Sequence, residues 1–216
     1  MKFTKRLTLS LLVLVGASLL FHFQSKGAFA KERPFPIPSG LEPAVQFWKR
    51  VFTEFTSRDL IFFNPQNHAR IYKVVKVGKK RNLRRLIRSE RRKIVRKFGL
   101  KSTRRVRVQR GIKDRFQSGL ELSRRYMDQI QAIFHEMGLP SELAYLPLIE
   151  SSFEIHARSH AGALGMWQLM RRTGRRFLHV TSRLDERKDP LESTRAAARV
   201  LEENYEALEN WPLAIT

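Results

Sequence analysis

The chain has 216 residues, and 42 lysines and arginines against 20 acidic residues give it a formal net charge of +22 at pH 7. A hydrophobic fraction of 42% is enough for a folded core, which excludes a wholly disordered chain. There is no cysteine, so disulfides, thiolate metal ligands, a cysteine nucleophile and a lipid-modified N-terminal cysteine are excluded. So basic a surface favours an acidic partner: nucleic acid, an anionic membrane or the acidic polymers of a cell envelope.

Residues 1–30 are predicted to form an export signal. Three basic side chains in the first six residues precede a nearly unbroken apolar run from Leu7 to Phe23, and small residues flank Phe29 as a cleavage site requires. The alternative is an uncleaved membrane anchor, because the apolar run approaches spanning length. Without residues 1–30 the chain keeps a net charge of +18. Export to the periplasm or cell envelope, with possible membrane association, argues against a nucleic-acid partner.

The region before residue 105 is predicted to consist of a linker and a basic, α-rich part. Residues 31–44 are rich in proline and predict an extended linker. In the basic N-terminal region, 45–104, residues 45–63 carry apolar side chains at helical spacing. The sequence RIYKVVKV, which ends before Gly78, predicts a short strand.

Lys79–Lys97 is the most basic segment of the chain, with eleven lysines and arginines. Its leucines and isoleucines fall on one side if the segment is helical. One interpretation is a solvated helix that packs a thin apolar stripe against its own domain. The other is an electrostatic contact with an anionic membrane surface or an acidic wall polymer. No aromatic residue interleaves the run to stack on bases, so no nucleic-acid partner is predicted.

Residues 105–216 predict a mainly helical domain. A first amphipathic helix should end at Gly138 as a left-handed C-terminal cap, and a second should run from Pro140 to Glu150 with a kink at Pro147. Asp189 is the expected N-cap of a later helix whose small residues let another backbone approach closely. Asn210 is the expected N-cap of one more helix. Because the sequence ends at Thr216, we expect this domain to be incomplete at its C-terminus.

Glu150 is the candidate acid/base. An apolar run from Leu146 to Ile149 precedes it, and Phe153 follows shortly after. A carboxyl held against apolar groups loses hydration, which raises its pKa toward neutrality and suits it to protonate a leaving oxygen. The alternative is a surface glutamate near a helix end.

The glycine-rich sequence SHAGALGMWQLMRRTG, residues 159–174, follows this glutamate. Its glycines allow the backbone to turn sharply or to approach a ligand. Trp167 offers a flat apolar face and Gln168 an amide that donates and accepts hydrogen bonds, a combination that suits an uncharged amino sugar. The alternative is an ordinary turn at the entry to a helix.

Together, ESSF at 150–153, Ser159 and AGALGMWQLM at 161–170 resemble the lytic murein transglycosylases of the lysozyme-like superfamily, in particular the membrane-bound type D-like members. The sequences GLPSELAYLPLIESSF, DERKDP and STRAAA fit the same pattern, so the resemblance covers about residues 105–216. It implies a lysozyme-like (goose-type/transglycosylase) helical domain without a metal or cofactor.

The resemblance also implies roles for individual residues. Glu150 corresponds to the catalytic acid/base. The implied substrate-binding residues are Ser159, Gln168 and Met170, and the implied supporting residues are Ser151, Gly165 and Trp167. Met170 alternatively packs in the core, and Trp167 is expected to pack rather than to serve as a sugar platform.

The implied reaction is non-hydrolytic cleavage of the β-1,4 bond between N-acetylmuramic acid and N-acetylglucosamine in the glycan strands of peptidoglycan, a lyase reaction that leaves 1,6-anhydro ends. Ordinary glycosidases need two carboxylates because water or the enzyme supplies the nucleophile. Here the substrate's own C6 hydroxyl attacks, so one carboxyl suffices.

In the family, a WPLA segment continues into an Ala-Tyr-Asn-x-Gly motif whose Tyr and Asn complete the cleft, and this sequence ends before that motif. The alternative function is therefore a catalytically incompetent fragment that binds peptidoglycan or another envelope surface.

Overall fold

A computed structural model of the chain describes residues 35–78 and 82–215. The predicted signal peptide, residues 1–30, and the start of the predicted linker lie outside the described residues. Backbone contacts divide the chain into two compact units: an N-terminal unit of residues 37–115, and a C-terminal unit of residues 116–215 with residues 35–36. None of the helices in the described ranges is both long and apolar enough to cross a bilayer.

The N-terminal unit is built on a three-stranded antiparallel sheet. Its strands are β1 (Asp59–Asn64), β2 (Asn67–Lys76) and β3 (Arg107–Arg110), in the order β2-β1-β3. The central strand β1 has the sequence DLIFFN, and five of its six residues are buried. An unbroken apolar run is typical of a strand that is covered on both faces.

Two helices cover the two faces of β1. Side chains alternate along a strand, so Leu60 and Phe62 share a cluster with Ile94 of α2 (Leu83–Lys97), whereas Ile61 and Phe63 pack with Phe47 of α1 (Glu42–Thr53). The predicted helix over residues 45–63 is therefore wrong beyond Thr53. The predicted strand over RIYKVVKV is confirmed as part of β2. The N-terminal unit includes β3 and ends at Arg115, whereas the sequence predicts a boundary at residue 104.

A buried carboxylate joins α2 to the sheet. The Glu90 side chain is 7% exposed; its Oε2 accepts a hydrogen bond from Lys73 Nζ at 2.7 Å and its Oε1 one from Lys93 Nζ at 2.9 Å. These bonds from the two ammonium groups lower the pKa of Glu90 below its usual value and outweigh the opposite effect of burial. The ionised carboxylate therefore fixes the position of α2 on β2.

This ion pair predicts a pH-dependent contribution to stability. Because the folded-state pKa of Glu90 lies below the unfolded one, its contribution is present above the unfolded pKa and is lost as the pH falls through the folded pKa. We expect Glu90→Gln to destabilise the N-terminal unit by about 1 kcal/mol at pH 7, and the difference from wild type to shrink toward pH 3.5. Urea titrations at both pH values, read through amide exchange of β1 peptides, measure this difference. The same difference in stability between wild type and Glu90→Gln at both pH values would contradict the proposed stabilisation by ionised Glu90.

The C-terminal unit is mainly helical, as predicted. Its helices, with three-residue or five-residue 3-10 turns between them, are α3 (Lys113–Ser123, whose first turn belongs to the N-terminal unit), α4 (Met127–Glu136), α5 (Leu146–Glu150), α6 (Arg171–Gly174), α7 (Pro190–Leu208) and α8 (Trp211–Ala214). Helix α4 packs on α7, whose Thr194 and Ala198 are fully buried. The small residues of α7 thus allow the close approach that the sequence predicts.

Local signals in the sequence locate three of the ends of these helices. Gly138 has φ +67° after α4, and the side chains of Asp189 and Asn210 accept backbone hydrogen bonds at the starts of α7 and α8, so these three predictions are confirmed. The kink predicted at Pro147 is wrong. A 3-10 turn, Ser141–Tyr145, precedes α5, and the proline lies in the first turn of α5, where no N–H is needed.

Candidate active site

Glu150 is the last residue of α5 and lines a cavity of about 200 Å³ in the C-terminal unit. The cavity walls come from α5, from the glycine-rich loop (residues 157–170), and from α7 and α8. Most of the lining is apolar, for example Leu146 and Leu201, and its two polar side chains are Glu150 and Asn204. The geometry places a single carboxyl group beside an apolar space that is open on one side.

The Glu150 side chain is exposed, so the expectation of a carboxyl withdrawn from water is wrong for this structure. The alternative from the sequence, a glutamate on the surface at a helix end, describes its position. The reason is the direction of the short helix: Leu146, Pro147 and Leu148 are buried, which turns the last residue of α5 toward the open side of the cavity.

A strained turn directly follows Glu150. Ser152 and Phe153 both have a left-handed backbone, with φ +56° and +59°, a conformation that costs such residues about 1 kcal/mol or more each. The Phe153 ring is 1% exposed, so its burial offsets the strain. Ser151 Oγ donates to the carbonyl of Met166 at 2.8 Å, which ties the end of α5 to the glycine-rich loop. The supporting role of Ser151 in the site stays a prediction.

The glycine-rich loop is held by backbone bonds. The N–H groups of Leu164 and Leu169 donate to each other's carbonyls, each at 3.1 Å, and Gly165 N–H donates to Ala157 at 3.0 Å. Gly165 has φ +80°, and a Cβ atom at this position would lie 1.8 Å from the Arg187 carbonyl oxygen. Only glycine fits there, and the supporting role of Gly165 in the site stays a prediction.

The predicted substrate-binding residues lie on the glycine-rich loop but not on the cavity wall. Ser159 Oγ accepts a hydrogen bond from Ala163 N–H at 3.0 Å, so it closes a turn. Gln168 has φ +50°, and its Nε2 donates to the carbonyls of Ala157 and Gly165, so any sugar contact of its amide falls to Oε1. Met170 is 43% exposed, which argues against the alternative that it packs in the core. Their binding roles stay predictions.

Trp167 connects the glycine-rich loop to the core. Its ring stacks on Phe134 with centroids 5.6 Å apart and planes at 17°, and its Nε1 donates to Thr194 Oγ1 at 2.8 Å. The side chain is 7% exposed, and it still forms part of the cavity wall. Its geometry is that of a packing residue rather than a sugar platform.

Arg187 is a buried arginine that the sequence reasoning missed. It is 5% exposed and holds Asp185 with two bonds, Nε to Oδ1 at 2.9 Å and Nη2 to Oδ2 at 2.7 Å. Its Nη1 donates to the carbonyls of Leu169 at 3.1 Å and Gly162 at 3.3 Å. The hydrogen bonds from Arg187 to the Asp185 carboxylate lower the pKa of Asp185 below its usual value. Arg187 therefore holds the glycine-rich loop in place through two of its carbonyl groups. In the sequence, the only sign of this role is the aspartate two residues before the arginine.

Asn204 is the second residue that the sequence reasoning missed. It lies three positions after Leu201 on α7, and its Nδ2 donates to the carbonyl of Ala214 at 2.8 Å. The signal was present, because a polar amide at helical spacing from the buried Leu201 faces the same side of the helix. Its Oδ1 is an acceptor that a sugar hydroxyl or acetamide N–H can use.

A mainly helical unit in which one glutamate ends a short helix, next to a glycine-rich loop, is the arrangement of a lysozyme-like transglycosylase domain. Comparison with known proteins agrees: residues 129–216 match the family model of the transglycosylase SLT domain. Over these residues the chain is similar to the transglycosylase SLT domain, which supports a lytic transglycosylase domain of the lysozyme-like superfamily.

Individual relatives are similar over part of their length. The chain is 40% identical over 78 residues to membrane-bound lytic murein transglycosylase D of Escherichia coli K12 and of E. coli O6:H1 CFT073, which covers 36% of this chain and 17% of each of those proteins. It is also 40% identical over 78 residues to a putative tributyltin chloride resistance protein of Alteromonas sp. strain M-1, covering 36% of this chain and 38% of that protein.

Proposed function

We propose that this protein is a peptidoglycan lytic transglycosylase that cleaves the bond between N-acetylmuramic acid and N-acetylglucosamine without water. The observation that carries the proposal is the position of Glu150, which among the residues that the structure describes is the one carboxylate on the cavity of a domain that matches the SLT family. The relatives named as murein transglycosylases support the same substrate class.

In the proposed mechanism Glu150 acts twice. Its protonated carboxyl first donates to the glycosidic oxygen, the bond from that oxygen to C1 of the muramic residue breaks, and N-acetylglucosamine leaves with a free 4-hydroxyl. The carboxylate then takes the proton of the muramic C6 hydroxyl while O6 forms the new bond to C1. The product carries a 1,6-anhydro ring, Glu150 is protonated again, and no water is consumed. The attack is intramolecular, which lowers its entropic cost.

Glu150 must be protonated for the first step, and we propose that binding of the substrate favours this protonated form. The exposed carboxyl faces an apolar space, so a glycan strand that fills this space removes water from the carboxyl group. Loss of hydration disfavours the ionised form and raises a carboxyl pKa toward neutrality. Glycan contacts by Ser159, Gln168 and Met170, and an acetamide contact by Asn204, complete the proposed binding site.

The same proposal places the protein in the cell envelope, after export through the predicted signal at residues 1–30. The relatives named as membrane-bound transglycosylases support this location. Lys79–Lys97 is predicted to contact an anionic partner there, either a membrane surface or a wall polymer. A second candidate function, envelope binding without cleavage, is favoured by the high charge of the N-terminal unit.

The nature of the product tests the proposal. Incubation of the full-length protein with purified sacculi should release muropeptides with 1,6-anhydro ends, which mass spectrometry distinguishes from hydrolysed ends because each lacks one water. Reducing ends would show a hydrolase, and binding without any released product would show the second candidate function.

A further inference from the structure

The two units differ strongly in net charge. Residues 37–115 contain 24 lysines and arginines and 5 acidic residues, a net charge of +19. Residues 116–216 contain 12 basic and 14 acidic residues, a net charge of −2. The unit that carries Glu150 therefore gives an acidic polymer no electrostatic attraction, whereas the N-terminal unit gives a strong one.

The charge of the N-terminal unit is ordered along α2. Five arginines share the side of the helix opposite its apolar stripe and form what we term the basic face: Arg84, Arg85, Arg88, Arg92 and Arg96. All five are exposed, and no carboxylate of the described residues pairs with any of them. With a rise of about 1.5 Å per residue the basic face extends about 18 Å along the helix.

The basic face has no apolar component of its own. The leucines and isoleucines of α2, including Leu86 and Ile94, pack in the cluster around Phe62 on the sheet. Nothing on the exposed side is available for insertion into a bilayer, and the binding of an amphipathic helix to a membrane requires apolar burial as well as charge. Guanidinium groups instead match carboxylates through paired N–H donors.

We propose that the basic face is a docking surface for the carboxylates on the peptide stems of peptidoglycan. The proposal rests on the proposed function, because it takes the same polymer as the partner of both units. A strand held by its stems on the N-terminal unit stays at high effective concentration for the C-terminal unit. The basic face thus provides the attraction that the C-terminal unit, with its net charge of −2, lacks.

Binding to purified sacculi tests this surface in a Glu150→Gln background, which keeps the polymer intact. Replacing Arg85, Arg88, Arg92 and Arg96 by glutamine, which keeps the helix propensity, should weaken binding about tenfold at low salt. Added salt should weaken binding of the parent protein more steeply than binding of the fourfold variant, because the variant has fewer charges for salt to screen. Unchanged circular dichroism and thermal midpoint establish that the variant is folded.

A matched control variant loses the same number of positive charges, but from the C-terminal unit. Arg124, Arg125, Arg183 and Arg199 are exposed arginines of the C-terminal unit that no carboxylate of the described part of the chain pairs with. Their fourfold replacement by glutamine should change binding by less than about twofold, because the proposal assigns these arginines no contact with the stem carboxylates. Equal losses for the two variants would overturn the proposal, since binding would then follow net charge alone.

Two further arms identify the source of the negative charge. Sacculi whose stem carboxylates have been converted to amides should lose most of the binding, and vesicles containing phosphatidylglycerol should bind more weakly than untreated sacculi. Undiminished binding to the amidated sacculi, or tighter binding to the vesicles, would overturn the proposal and indicate a membrane partner. Absence of 1,6-anhydro products with the wild-type protein would refute the catalysis but would leave this binding result unaffected.

Discussion

Glu150→Gln is expected to lower the rate of 1,6-anhydromuropeptide release by at least about 10³-fold. Glutamine has nearly the same shape, but it neither donates the acidic proton to the glycosidic oxygen nor accepts one from the C6 hydroxyl. Both proton transfers of the proposed mechanism therefore fail. The exposed position of the side chain means that the fold should be unaffected. Chromatography and mass spectrometry of digested sacculi measure the rate.

Glu154→Gln is the control, because Glu154 is also exposed, lies four residues further along and has no proposed role. Its rate should stay within about twofold of wild type, as expected for a surface substitution. If Glu150→Gln retained wild-type activity, or if Glu154→Gln lost activity to the same extent, Glu150 would not be the acid/base.

The exposure of Glu150 shows what the sequence leaves undetermined about the site. The apolar run before it predicts burial, and Leu146, Pro147 and Leu148 are indeed buried, yet their burial fixes the direction of α5 and leaves its last residue on the open side. The residue types of a segment indicate whether the segment is buried. The environment of one carboxyl group also depends on the direction of the helix axis, which the segment alone does not determine.

Helix ends were predictable because their signals are local. Gly138, Asp189 and Asn210 each act on a backbone group within three residues, so the sequence alone contains the interaction. The strand β1 was missed for the opposite reason. One of its two hydrogen-bond partners, β3, lies more than forty residues later, and an apolar run covered on both faces has no period that separates a strand from a helix.

The residues that organise the site were the hardest to predict. Ser151, Gly165 and Trp167 could be selected because they belong to a recognisable pattern, but the pattern does not say that Ser151 bonds to Met166 or that Trp167 bonds to Thr194. Arg187 gave no local signal of burial, since arginines are rarely buried unless they are paired. Besides Asp185, its partners include two carbonyl groups eighteen or more residues away, which only the folded chain brings together.

Arg187→Met should destabilise the C-terminal unit by about 3–5 kcal/mol, because it removes one partner of a buried ion pair. Methionine fills a similar volume without replacing the donors, so Asp185 keeps a largely buried carboxylate and two loop carbonyls lose their N–H partners. The glycine-rich loop should then lose its fixed position next to Glu150. Urea denaturation followed by amide exchange of peptides from the C-terminal unit measures the loss of stability.

Lys188→Met is the matched control, because it removes the same charge one residue further along from an exposed side chain. Its stability should lie within about 0.5 kcal/mol of wild type. Arg187→Lys should fall between the two, since lysine keeps a charge for Asp185 but cannot bond two carboxylate oxygens and two carbonyls at once. Equal stability of Arg187→Met and Lys188→Met would contradict the assignment of Arg187 as the residue that fixes the glycine-rich loop.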